Sequence, residues 1–445
     1  MGFAFIGQLR HTATQVHDPQ LPLMKKVMIS GTAQPGFESV KALFEDNLKH
    51  YFEDNAQLCV YVNDECVVDL WGSASGDAHF DGDSLINIFS SGKSLESIAM
   101  AWLISEGLLD YDTRVTEYWP EFGGSGKAHL TVADIMRHEG GLAAFNQTLN
   151  PLDLHRESLH QNKIGQIIES HPLYYRSEND GDRREYHALT RGWIVNEIFR
   201  RIDPQKRTIG AFLEQNIQAP LSADIMVGVP SDALSRIAVL KPVGFKQHLQ
   251  MSAHPFKSRR QTHHNVLQLS ARLAGFVLRN RRTMNLKRPV PFEGMQRIEA
   301  FNEPVIAMGE TPSANAHCSA RGLAKLGSAM AMGGTTAGHQ VINPQAWQSM
   351  HDQPVQREMG MNTTFTQGGV AHFSHKPPPR TAIDRGLNTG REGFYGWMGL
   401  GGSIFQWHPG LKIGFAFVPT SLHVLDFVNE RGKTLQAEVL QCLRN

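Results

Sequence analysis

Strand-like sequence in this 445-residue chain gathers at its two ends, with a long helical stretch between them. Near the front, the apolar-rich runs 58–62 and 66–72 flank Asn63-Asp64-Glu65, a pattern that makes a β-hairpin. Near the back, residues 400–407 and 412–420 flank the turn His408-Pro409-Gly410 in the same way. An isolated two-stranded hairpin is marginal in water, so each needs further strands or a helix to pack on. The economical solution lets the two ends share one sheet. The chain is therefore expected to be an α+β protein, with an antiparallel sheet built from both chain ends, flanking helices and an inserted, mostly helical domain. The expected boundaries are an arm over 1–34, the sheet domain over 35–135 and 391–445, and the helical domain over 136–390.

Apolar spacing of three and four places helices over 37–50, where Phe37, Val40, Leu43, Phe44 and Leu48 share a face, and over about 93–106. Thr131 caps a short helix at 132–137, and the same spacing recurs over 162–170, 186–202, 208–217 and 319–332. Residues 251–292 carry nine Lys or Arg and no acid around an expected helix at Val266 to Leu278. Lys+Arg and Asp+Glu stand at 43 each over the whole chain, so this segment reads as a solvated surface paired with acidic neighbours. The same balance argues against a nucleic-acid partner, since most such binders are clearly basic.

Four cysteines without a C-x-x-C pair are no disulfide framework, and the 21 histidines are scattered without metal-ligand spacing. Neither a metal nor an organic cofactor is expected. The first residues lack a basic stretch followed by an apolar run, and no stretch approaches 18 apolar residues. The expectation is a cytoplasmic protein with no membrane span; its oligomeric state is not set by the sequence.

Chemistry concentrates at three places. Ser90-Ser91-Gly92-Lys93 opens an apolar-faced helix, and a serine three residues ahead of a lysine puts the two side chains on one face, with Cβ atoms about 5 to 6 Å apart. An amine whose pKa is lowered by burial can take the hydroxyl proton and make the serine a nucleophile. The motif alone also fits a capped helix with a surface lysine. Tyr186, in Tyr186-His187-Ala188, is expected to begin a helix that sets its phenol beside this pair. Finally, Tyr395-Gly396-Trp397-Met398-Gly399-Leu400-Gly401-Gly402-Ser403 is dense in glycine, as backbone that approaches another surface closely must be.

Together these elements resemble the serine β-lactamase and penicillin-binding protein family, most closely the class C β-lactamases and the related family VIII carboxylesterases. Ser90 and Lys93 match the S-x-x-K motif, Tyr186 the tyrosine of the second motif, and Trp397-Met398-Gly399 the third. The segments 118–122, 138–142 and 319–324 also look like family segments, and the resemblance spans about 35 to 443. It implies Ser90, Lys93 and Tyr186 as catalytic groups and the N–H groups of Ser90 and Leu400 as the oxyanion hole. Trp397, Met398 and Gly399 would line the substrate pocket.

Two departures bear on substrate. Ala188 stands where class C β-lactamases carry the asparagine of Tyr-x-Asn, and Trp397 stands where Lys-Thr-Gly has its lysine. Losing that charge-assisted contact, worth about 1.5 to 3 kcal/mol, weakens recognition of a β-lactam carboxylate by roughly one to two powers of ten. The resemblance therefore implies a serine esterase acting on a small-molecule ester. The alternatives are a β-lactamase or D-amino-acid peptide amidase, and a non-catalytic member serving as a binding or scaffold protein.

Overall fold

The computed structural model describes residues 27–175, 184–252, 274 and 288–444. The front hairpin forms as its residues dictate. After β1 (Met28–Ala33) and α1 (Glu38–His50), β2 (Asn55–Val62) turns into β3 (Glu65–Ser73). The two-residue turn holds Asn63 at φ 51 and Asp64 at φ 67, a left-handed pair that these residue types tolerate best after glycine.

The remaining strands of the main sheet are β4 (Val355–Glu358), β5 (Asn362–Phe365), β6 (Ala371–His372), β7 (Tyr395–Met398), β8 (Ile404–His408) and β9 (Ile413–Pro419). Their order is β1-β3-β2-β9-β8-β7-β6-β5-β4. Each pairing is antiparallel. The two chain ends meet where β9 pairs with β2, from Ile413 opposite Val62 to Pro419 opposite Ala56.

Alternation along these strands separates two cores. Cys59, Ala416 and Val418 point to a face covered by α4 (Ala320–Ala331) through Leu323, Leu326 and Met330. Leu58, Val60, Phe415 and Phe417 point the other way. There they meet Phe44 and Leu48 of α1 and Leu435 and Val439 of α5 (Glu430–Cys442). Each such side chain contributes about 1.5–3 kcal/mol when fully buried, so the α+β architecture expected from the chain ends is held from both sides.

The helical region continues the first core. It includes α2 (Lys93–Ser105) and α3 (Thr190–Ile202), together with the short helix Val132–Met136, whose cap pairs Thr131 with Asp134 reciprocally. A second, three-stranded sheet pairs Ile86–Asn87 and Ile225–Val227 with Ala316–Cys318 between them.

Three expectations change. The sheet reaches back to Val355, so a boundary near 390 falls inside it; β6 has only two residues and cannot display an alternating pattern. Residues 28–33 of the expected arm form the edge strand β1, where half-exposure weakens the apolar signal. The helix expected from 186 starts at Thr190, leaving Tyr186 on the segment that leads into it. The basic stretch lies mostly outside the described residues, as do its expected helix and residues 1–26 of the arm. Among the described residues, no helix is long and apolar enough to cross a membrane.

Candidate active site

Ser90 lies on a single 3-10 turn, Phe89–Gly92, between the strand Ile86–Asn87 and α2. The turn is strained: Phe89 stands at φ 45, a region costly for a bulky side chain. It is held there by Asn87, whose Oδ1 accepts the Phe89 N–H at 2.7 Å, and by edge-on packing of the Phe89 ring on Phe301. Gly92 is required next, because a Cβ there would come within 2.2 Å of the Pro312 carbonyl oxygen. That close approach brings the 311–313 loop over the start of α2.

Lys93 is fully buried beneath Ser90. Its Nζ is 3.5 Å from Ser90 Oγ and donates to the carbonyls of Ala188 at 2.7 Å and Ser313 at 3.1 Å. It also sits 4.7 Å from the centroid of the Tyr186 ring. Burial pushes the Lys93 ammonium well below the usual lysine range; nearby Glu96 opposes this shift and Arg191 adds to it. Glu96, three residues along α2 and fully buried, accepts from Arg191 Nε at 2.7 Å and from the Ser313 hydroxyl. Arg191 Nη2 in turn donates to the Lys93 carbonyl at 2.8 Å. The lysine, its acid and its arginine thus form one closed polar unit.

Tyr186 is positioned by two neutral histidines. His187 Nε2 accepts the Leu142 N–H at 3.0 Å, which leaves its Nδ1–H to donate to the Glu185 carbonyl at 2.6 Å. Burial lowers the His187 pKa to about 4. His138 Nδ1 accepts the His187 N–H at 3.1 Å, and its ring lies 4.8 Å from that of Tyr186. Burial raises the Tyr186 pKa to about 12, against the pull of hydrogen bonds involving Ser90 and Trp397.

The glycine-dense stretch closes the site from β7. Trp397 Nε1 donates to Tyr186 Oη at 2.9 Å, and its ring packs on Phe365 and Phe373. Gly399 touches the Ser90-bearing segment so closely that a Cβ would lie 2.2 Å from the Ile88 carbonyl oxygen. Leu400 follows, half-buried. Met398 does not join Trp397 at the phenol: it is buried, with its sulfur accepting from Arg391, whose Nη1 lies 3.2 Å away.

Ser90, Lys93, Tyr186 and Trp397, separated by up to 307 positions in the chain, therefore come together. Sequence reading missed Glu96, Arg191, Ser313, His138 and His187. The only local signal was an acid and an arginine inside otherwise apolar helix faces. Among the described residues, no group of three or more His, Cys, Asp or Glu is placed to hold a metal ion. Cys59 and Cys66 remain free thiols, with sulfurs 3.8 Å apart across the front hairpin.

A nine-stranded antiparallel sheet joined from both chain ends, with a Ser-x-x-Lys turn at the entry to a buried helix, is the arrangement of a β-lactamase-type fold. A family model described as Beta-lactamase matches residues 40–438, and the chain belongs to that family. It is 26% identical to the "Esterase/beta-lactamase LipL" of Mycobacterium tuberculosis (strain ATCC 25618 / H37Rv) over 408 residues, covering 88% of this chain and 83% of that one. A solved family VIII carboxylesterase superposes with a TM-score of 0.71 at 25% identity, covering 93% of this chain and 100% of that one. A penicillin-binding protein homologue from Caulobacter crescentus gives a TM-score of 0.69 at 23% identity, with the same coverage.

Proposed function

We propose that this protein hydrolyses carboxylic esters of small molecules through an acyl-enzyme on Ser90. The observation that carries the reading is the bonding of Lys93. A neutral amine has two N–H groups and one lone pair, and two carbonyls, those of Ala188 and Ser313, already engage Nζ as acceptors. The lone pair is then left for the third neighbour, the Ser90 hydroxyl. Burial favours that neutral form.

Lys93 takes the Ser90 proton as Oγ attacks the ester carbonyl, and the N–H groups of Ser90 and Leu400 hold the oxyanion. Tyr186, kept protonated by its raised pKa, gives its proton to the departing alcohol and recovers one from Lys93. In the second half water attacks the acyl carbonyl, its proton passes through the same pair to the departing Ser90 Oγ, and the acid leaves with the serine hydroxyl restored. Trp397 gives the pocket an apolar wall and no cation, which favours an ester's acyl or alkyl chain over a carboxylate-bearing β-lactam.

The test is labelling with a fluorophosphonate and mapping of the modified residue, together with turnover of p-nitrophenyl esters of graded chain length. Modification at Ser90, and loss of about 1000-fold or more in kcat in Ser90→Ala, are the expected results. Full activity in Ser90→Ala sinks the proposal. Turnover of a cephalosporin on a par with a short-chain ester favours the β-lactamase reading instead, and absence of both labelling and turnover favours a binding or scaffold role.

A further inference from the structure

We infer that Asn429 is a positioning residue that aims the Leu400 N–H at the oxyanion; this rests on the proposed acyl transfer at Ser90. Gly399 and Gly402 close a turn, with the Gly402 N–H on the Gly399 carbonyl at 3.3 Å, Gly401 at φ 83 and the Gly399 N–H on the Ser403 carbonyl at 2.8 Å. Asn429 sits behind this turn, buried, at the entry to α5. Its Nδ2 donates to the carbonyls at both ends, Gly399 at 3.2 Å and Ser403 at 2.9 Å.

The Gly399 carbonyl and the Leu400 N–H belong to one peptide unit. That unit is planar and trans, so its C=O and N–H point in opposite directions. Fixing the carbonyl on Asn429 therefore fixes the N–H on the far side of the turn. The opposite side is pinned to the nucleophile's own segment: Ser403 Oγ donates to the Ile88 carbonyl at 2.6 Å and lies 3.1 Å from Ser91 Oγ. Asn429 thus sets the rotation of the peptide, while Ser403 sets its distance from the turn carrying Ser90. A hydrogen bond accepted by a carbonyl also polarises the peptide and strengthens its N–H as a donor.

The same turn is braced a residue later. Arg431 donates to the Gly401 carbonyl and to that of Ser421 at 3.2 Å, and its other arm pairs with the buried carboxylate of Glu53. These contacts anchor the outer part of the turn but do not touch the Gly399–Leu400 peptide. Asn429 itself stands at φ 51, where Asp and Gly are also tolerated, so two substitutions remove the amide donor without backbone strain.

The experiment compares wild type with Asn429→Asp and Asn429→Gly on a p-nitrophenyl ester, reading kcat and KM separately. It also reads the infrared stretch of the acyl carbonyl in the trapped acyl-enzyme. Removing an oxyanion donor outright costs about 100- to 1000-fold, so misaiming one is expected to lower kcat by about 10- to 100-fold with KM within about threefold. The acyl carbonyl band should shift to higher frequency, because weaker hydrogen bonding leaves a stronger C=O bond; loss of stability alone would not move it. Wild-type kcat and an unshifted band in both folded variants overturn the inference. If the wild-type protein neither turns over ester nor labels at Ser90, the proposed function fails first, a result distinct from active but unaltered Asn429 variants.

Discussion

The indole N–H of Trp397 ends on the phenol oxygen of Tyr186, 2.9 Å away. A tryptophan at this place thus supplies one neutral donor to the phenol and brings no charge to the pocket. When Tyr186 gives up its proton in the proposed mechanism, its oxygen gains negative charge and the indole bond strengthens. Trp397→Phe keeps the apolar wall and deletes the donor. A bond to a developing charge is worth about 1.5–3 kcal/mol, so kcat/KM for a short ester should fall roughly 10- to 100-fold, with little change in melting temperature. Unchanged ester turnover in Trp397→Phe removes the indole from the chemistry.

The pH profile follows from the same two groups. In the proposed mechanism Lys93 acts in its neutral form, and burial holds its pKa well below the ordinary lysine value of 10.5, so activity should be lost only as pH falls through that lowered value. The same mechanism uses Tyr186 protonated, and burial raises its pKa to about 12, so no alkaline limb should appear in the accessible range. A plot of log kcat/KM should rise to a plateau below the ordinary lysine range and stay flat above it. Folding carries the matching signature. Between the lowered folded pKa and 10.5, the unfolded chain binds a proton that the folded one does not, so stability rises with pH across that window. In Lys93→Met this component of the slope should vanish from urea midpoints measured across the same range.

Glu96→Gln offers a signed test of the electrostatics. The glutamate is the acid that favours the charged form of Lys93, so neutralising it lowers the lysine pKa further and moves the acidic limb of kcat/KM to lower pH. It also leaves Arg191 buried without its carboxylate. Breaking a buried pair from one side costs about 3–5 kcal/mol, so chemical denaturation should show a large loss of stability alongside the shift. An acidic limb that stays in place dissociates Glu96 from the lysine.

What could be read from the chain beforehand divides along physical lines. The Asn63-Asp64 turn and the Thr131 cap were legible because both depend on residues a few positions apart. Ser90 and Lys93 were legible because three-residue spacing at a helix entry fixes their relative placement. The Glu96–Arg191 pair spans 95 positions and rests on two helices packing, which no local pattern encodes. Asn429 was invisible for the same reason: its partners, Gly399 and Ser403, are backbone carbonyls on another element. The strands from 355 to 372 escaped notice because pieces of two to four residues at the far side of a sheet leave too few positions for alternation to show.

Gly399 is the last and most restrictive of the site's demands. A methyl group there would lie 2.1 Å from Ser403 Oγ and 2.2 Å from the Ile88 carbonyl oxygen, and only the hydroxyl has room to swing aside. Backbone must therefore move, and it is the backbone that sets Ser90 against the Leu400 turn. Overpacking of this kind costs about 1–3 kcal/mol, which a protein of this size can survive. Gly399→Ala should accordingly fold, melt several degrees lower and still place Lys93 beneath Ser90, yet lose at least about 100-fold in kcat because the oxyanion donors no longer converge. Fluorophosphonate labelling should slow in parallel, since the phosphonyl oxygen occupies the same donors. A folded Gly399→Ala protein with wild-type turnover and wild-type labelling would show that the close approach of β7 to the Ser90 turn has no part in the chemistry.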